Sequence, residues 1–146
     1  NALRGQTLPI YGDGLHVRDW NHVEDLVDAL LLVARSGDVG ETYLIGTGRT
    51  CSNLTLVETL CDILDQHEAV KSTAHRELIS FVDDRPGHDR RYCVDSTKLR
   101  RELGWEPRSD LPSGLRSTVD WYLNNENWWQ NILNGDYRLT RLGTRT

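Results

Sequence analysis

The residues best equipped for chemistry stand together in Asp83-Asp84-Arg85-Pro86-Gly87-His88-Asp89-Arg90-Arg91-Tyr92. Three arginines, one histidine and three aspartates surround a Pro-Gly pair. Pro86 fixes its own φ and Gly87 can take φ > 0, so the chain must bend here. Two readings follow from these residue types. Guanidinium forks match phosphate oxygens two at a time and do not deprotonate, so the stretch can clamp an anion. The same charges can instead pair with one another in a solvated loop, each exposed pair contributing about 0–1 kcal/mol.

The elements that position this stretch are read from periodicity. Leu78 to Val82 is a short apolar run, expected to be a buried strand leading into the bend. Asn1 to Gln6 reads as a helix end capped by Gly5, and Leu8 to Gly12 as an extended segment that Pro9 bars from the centre of a sheet. Asp13-Gly14 predicts a hairpin turn into a strand over Leu15 to Trp20. His22 to Arg35 predicts a helix whose inner stripe is Val23, Leu26, Val27, Leu30, Leu31 and Ala34, with Asn21 as N-cap. A strand over Glu41 to Ile45 and a turn at Gly46-Thr47-Gly48 follow.

A second helix starts at Asn53, or at a capping box of Thr55 and Glu58, and runs to about Asp65. Its inner face is Leu54, Val57, Leu60, Cys61 and Leu64. Beyond the charged stretch, Tyr92-Cys93-Val94 reads as a strand and Asp95 as the cap of a helix over Ser96 to Leu103, stopped by Gly104. Pro112 to Asn125 is the last long helix, and Trp128 to Leu133 a short terminal one. Strands are few and short, so the fold class is mixed α/β with helices predominating. Trp20 and Trp105 read as packing residues, while His16, His22, His67 and His75 show no ligand spacing and default to surface or turn positions.

Composition narrows the function. The 146 residues carry 17 basic and 22 acidic side chains, net −5, which disfavours general nucleic-acid binding. No apolar run approaches the roughly 20 residues that span a bilayer, and no signal-peptide pattern is seen near Asn1. Cys51, Cys61 and Cys93 are odd in number and lack metal spacing, so reduced thiols and a cytoplasmic location are expected. Methionine is absent even at position 1, so a piece of a longer protein, or a processed one, is expected.

Taken in order, several stretches resemble a known family. They are Leu8-Pro9-Ile10-Tyr11-Gly12-Asp13-Gly14, then Arg18-Asp19-Trp20 with Val23-Glu24-Asp25. Further on come Asp84 to Tyr92, Asp95-Ser96-Thr97-Lys98-Leu99, and Leu103-Gly104-Trp105-Glu106-Pro107. Together they resemble extended short-chain dehydrogenase/reductases acting on nucleotide sugars, and within these the dTDP-glucose 4,6-dehydratases. The resemblance implies the helix-rich, carboxyl-terminal substrate-binding part of such an enzyme, lacking most of the Rossmann domain. It runs over residues 1–137, with 138–146 a polar, frayed tail. No Gly-x-Gly-x-x-Gly and no Tyr-x-x-x-Lys occurs in the chain, and Tyr43-Leu44-Ile45-Gly46 stands where the family commonly has Tyr-Asn-Ile-Gly.

By the same resemblance, Pro9, Ile10 and Tyr11 line the nucleotide base pocket and Arg18 grips the diphosphate. Asn53 contacts the nucleotide, and Asp84, Arg85, Pro86, Gly87 and His88 form a closing loop, with Arg85 and His88 nearest the phosphates and sugar. No catalytic, cofactor-binding or metal-binding residue is expected in the chain. The implied parent is a homodimeric hydro-lyase. It oxidises C4 of dTDP-glucose, loses water across C5–C6 and returns hydride to C6, using a bound NAD that is regenerated. The isolated piece is expected to be inactive. A sibling epimerase or decarboxylase acting on another nucleotide sugar, and a non-catalytic binding module, are the other expectations.

Overall fold

The computed structural model describes residues 1–67, 69–70 and 74–134. The expected tail at 138–146 and part of the polar connection before Arg76 lie outside these residues. The elements in order are β1 (Leu8–Tyr11), β2 (Val17–Asp19), α1 (Val23–Ser36), β3 (Thr50–Ser52), α2 (Asn53–Gln66), β4 (Ile79–Val82), α3 (Thr97–Leu103), α4 (Leu111–Asn124) and α5 (Glu126–Asn134). Two 3-10 turns, Ala2–Arg4 and His75–Leu78, precede β1 and β4. The helix-rich α/β architecture read from periodicity is the one observed.

The strands pair in two separate ribbons. β1 runs parallel to β4, with Leu8 opposite Ile79 and Tyr11 opposite Val82. β2 runs antiparallel to β3, with Arg18 opposite Cys51. The turn expected at Asp13-Gly14 exists, closed by Gly14 N–H donating to Tyr11 O at 3.2 Å, yet it joins two strands that do not pair. Gly14 is required here. Its φ is +73°, and a Cβ would lie 2.9 Å from Ile10 Cγ2 and 3.0 Å from Leu54 Cβ. The turn is thus pressed onto β1 and α2, which steers the chain away from the hairpin.

Two small cores hold the helices. Ala29, Leu99 and Trp105 pack with Leu32, Val33, Tyr43, Ile45 and Leu103 between α1 and α3. Ile63, Leu64 and Val119 pack with Ala2, Leu60, Leu115 and Leu123 between α2 and α4. Burying a leucine such as Leu99 contributes about 1.5–3 kcal/mol. Ser52 caps α2, its hydroxyl accepting from Thr55 N–H at 3.1 Å, one residue earlier than the expected Asn53. Asp110 caps α4 through Ser113 N–H at 2.8 Å.

Three expectations are corrected. In α1 the apolar stripe faces outward: Val23, Val27, Leu30 and Leu31 are exposed, while Asp25 and Ala29 are buried. Asp25 is inside because its carboxylate accepts Arg108 N–H at 3.1 Å and Ser109 N–H at 3.0 Å, serving as a backbone cap between two elements. The segments 41–45 and 92–94 join no ladder among the described residues, since only Val17 and Arg91 form an additional bridge, whereas Thr50–Ser52 does pair. Trp105 is core as expected, but Trp20 is exposed.

Candidate functional site

The parallel pairing of β1 with β4 decides where the charged stretch goes. Tyr11 and Val82 end their strands side by side, so the segments that leave them emerge together. Gly12 N–H donates to Val82 O at 2.9 Å and fastens the exit. The returning limb is zipped to β2, where Val17 N–H donates to Arg90 O at 2.8 Å and Tyr92 N–H donates to Val17 O at 3.0 Å. The loop 83–92 is therefore anchored at both ends, and Arg18 follows the residue that anchors it. Within it Gly87 takes φ +69° and His88 N–H donates to Arg85 O at 3.1 Å, the bend that Pro86-Gly87 predicted.

The side chains converge on His88. Arg18 Nη2 donates to His88 Nε2 at 3.0 Å and to Asp89 O at 2.9 Å, and Nη1 donates to Val17 O at 2.8 Å. Its guanidinium lies over the Tyr92 ring, 4.4 Å from the centroid. These bonds use three of its five N–H donors, leaving two for a ligand among the described residues. Arg85 lies over the Tyr11 ring at 5.2 Å, and Tyr11 meets His88 edge to face at 6.3 Å. Arg85 has no carboxylate partner among the described residues. Arg18 and Arg85 both act on the Tyr92 hydroxyl electrostatically, although its Asp89 partner dominates and raises its pKa. Arg18 and Arg85 are thus brought to one cluster with Tyr11, His88 and Tyr92.

Asp84 organises the loop from within. Its Oδ1 accepts from His88 Nδ1 at 2.7 Å and from Arg85 N–H at 2.8 Å, and its Oδ2 lies 3.1 Å from His16 Nε2. The His88 hydrogen bond holds the Asp84 carboxyl below the usual aspartate range. Arg90 is spent elsewhere, forking onto Asp13 at 2.7 and 3.0 Å and drawing the Asp13 pKa down to about 2. An open hollow of about 640 Å³, lined by Gly12, Phe81, Val82, Asp83 and Asp84, adjoins the cluster. A more apolar hollow of about 500 Å³ between α2, α4 and α5 has Arg4 as its one charged side chain among the described residues and lies apart from these loops.

Tyr11, Arg18, Asp84, Arg85 and His88 thus meet, and Pro86 and Gly87 supply the bend. Pro9 and Ile10 lie farther back along β1, and Ile10 is core. Asn53 adjoins the cluster through its N–H, which donates to His16 O at 2.9 Å, and its Oδ1 is buried without a partner among the described residues. Sequence reasoning missed His16, which is buried and stacked on His88, with centroids 3.8 Å apart and planes at 17°. Alternation over the 15–20 run puts His16 on the side of Arg18, but a lone histidine gives no ligand spacing to mark it. Also missed was Asp19, which accepts Thr47 N–H at 3.1 Å and Gly48 N–H at 3.0 Å and so shapes the 46–49 turn.

Residues 1–118 match the family model described as GDP-mannose 4,6 dehydratase. The chain belongs to this family. The dTDP-glucose 4,6-dehydratase of Neisseria meningitidis serogroup B is 53% identical over 147 residues, covering 99% of this chain and 41% of that protein. The Bacillus anthracis dTDP-glucose 4,6-dehydratase, solved in complex with NAD, is 42% identical with a TM-score of 0.76, covering 90% of this chain and 39% of that one. The Streptomyces venezuelae dTDP-glucose 4,6-dehydratase DesIV, also solved with NAD, is 40% identical with a TM-score of 0.77, covering 90% of this chain and 38% of that one. The chain therefore spans about 40% of the length of the curated relatives it matches. This member of the GDP-mannose 4,6-dehydratase family contains no described helix long and apolar enough to cross a membrane.

Proposed function

We propose that this chain is the nucleotide-sugar-binding part of an NAD-dependent dTDP-glucose 4,6-dehydratase, which converts dTDP-glucose to dTDP-4-keto-6-deoxyglucose and water. The observation that carries the reading is the convergence of Arg18 and Arg85 about Tyr11, His88 and Tyr92. A nucleoside diphosphate brings about two negative charges, and two guanidinium groups from separate segments can meet them from two sides. Arg18 is held by β2 and the returning limb of the loop, so its orientation is paid for before ligand arrives. Tyr11, at the end of β1, supports the base side of the site. Binding energy gathered at the diphosphate then holds the hexose in register for chemistry elsewhere in the full-length protein.

The residues present do not fit the cofactor. The chain contains neither a Gly-x-Gly-x-x-Gly turn nor a Tyr-x-x-x-Lys pair, so no hydride or proton step is assigned to it. We expect the 146 residues alone to give no turnover. Incubation with dTDP-glucose and NAD, followed for 4-keto-sugar, checks this; product would contradict it. The outward stripe of α1 and the unpaired 41–45 segment are then surface for the rest of the longer polypeptide. The isolated chain is expected to aggregate, which light scattering would show.

The deciding experiment is calorimetry on the full-length protein with thymidine diphosphate and uridine diphosphate. Tighter binding of thymidine diphosphate, together with turnover of dTDP-glucose, supports the reading. A preference for uridine diphosphate would instead favour a sibling epimerase or decarboxylase, and binding without turnover a non-catalytic module.

A further inference from the structure

We propose that His16 is a positioning residue of this site: by donating to Asp84 it holds that carboxylate against His88, fixes His88 as its Nδ1–H tautomer, and so leaves His88 Nε2 bare to receive and aim Arg18. What Arg18 is aimed at rests on the diphosphate reading above; the tautomer does not.

Arginine can only donate. Arg18 Nη2 stands 3.0 Å from His88 Nε2, so that nitrogen must offer a lone pair. The proton of the neutral ring is then on Nδ1, which faces Asp84 Oδ1 at 2.7 Å and donates to it. His16 Nε2 lies 3.1 Å from the other oxygen of Asp84, so each carboxylate oxygen takes one imidazole N–H. His16 also supplies the platform on which His88 stacks, and its side chain is only 3% exposed. Among the described residues its Nδ1 is buried with no partner, and Asp84 is the polar contact that its ring makes. With His16 absent, Asp84 Oδ2 loses its donor, and His88 loses both its stacking partner and a firmly held acceptor. The ring is then free to rotate or exchange tautomer, and Arg18 loses its aim.

The same three residues place a ligand atom each within 4.8 Å of one another, a spacing a cation could use. Two features make the cluster a proton-ordered chain instead. Imidazole lone pairs lie in the ring plane, and two rings stacked at 3.8 Å and 17° direct theirs along separate, nearly parallel planes. Arg18 also forces a proton onto His88 Nδ1, between that nitrogen and Asp84, where the cation would stand.

The test uses the full-length protein labelled with 15N at histidine. Two-bond 1H–15N correlation reads the tautomer in the absence of nucleotide, and calorimetry with thymidine diphosphate reads the consequence. Wild type should show His88 as Nδ1–H. His16→Ala should show a tautomer mixture and bind thymidine diphosphate about fivefold more weakly, the scale of one lost hydrogen bond. His16→Gln, whose side-chain amide N–H can still reach Asp84, should restore both. If His16→Ala does not fold, His16→Phe keeps the stacked ring without the N–H and should likewise show a tautomer mixture. An Nε2–H tautomer in wild type, or an unchanged tautomer in His16→Ala or His16→Phe, would overturn the inference. A wild type that binds no thymidine diphosphate would overturn the diphosphate reading while the tautomer still decides this one.

Discussion

Asp65 and Asp84 each take a histidine Nδ1, and the two pairs serve different ends. Asp65, on α2, pairs with His75 Nδ1 and also accepts His75 N–H at 3.1 Å, closing the 3-10 turn onto the helix. The His75 side chain is 1% exposed and its Nε2 meets no partner among the described residues. Asp84 sits on an exposed loop, yet its partner His88 has a side chain only 5% exposed, and the far nitrogen of that ring is held by Arg18. The difference lies in the second nitrogen. Where it ends in the core, the pair is a staple; where it meets Arg18, the pair orients a guanidinium.

The contrast can be broken or sharpened by mutation. The largest effect is expected from Arg18→Ala in the full-length protein, which should weaken thymidine diphosphate binding about 100-fold, the scale of a lost charge-assisted hydrogen bond or two, with the melting temperature little changed. His75→Ala should do the reverse. It should cost about 2–4 kcal/mol of stability by denaturant titration, through the cavity left by a buried ring, with affinity of the folded protein held within about twofold. A His75→Ala protein with normal stability would erase the distinction.

Acid should loosen both pairs next. Both carboxyls lie below the usual aspartate range, each chiefly through its histidine hydrogen bond. A depressed folded pKa gives stability that is complete above the ordinary value of 3.8 and is lost as pH falls through the folded value. The urea midpoint should therefore fall with pH below about 4, and Asp65→Asn should flatten that fall. The smallest effect belongs to Asp13→Asn. Its pair with Arg90 is exposed on both sides, so stability should stay within measurement error, as should nucleotide affinity.

Much of the architecture was legible because periodicity and caps act locally. The long helices lie where their apolar spacing placed them, and Gly104 ends α3 at φ +71° as its position implied. What could not be read was set by partners distant in sequence. Asp25 is buried for the sake of two backbone N–H groups at 108 and 109, and no helical pattern reports that. The hairpin at Asp13-Gly14 failed because β1 pairs with β4, some seventy residues on. The bend with Arg85 was visible from residue type, and Arg18 was joined to it only by resemblance. The buried His16 stacked on His88 was not, because a lone histidine carries no spacing signal until the loop folds back on it.

The central claim is that Arg18 and Arg85 close on one diphosphate. A crystal structure of the full-length protein with thymidine diphosphate tests it most directly. The account predicts both guanidinium groups within hydrogen-bonding distance of the phosphate oxygens, with His88 still bound to Arg18. A diphosphate bound away from the 83–92 loop, or contacted by neither arginine, would contradict it.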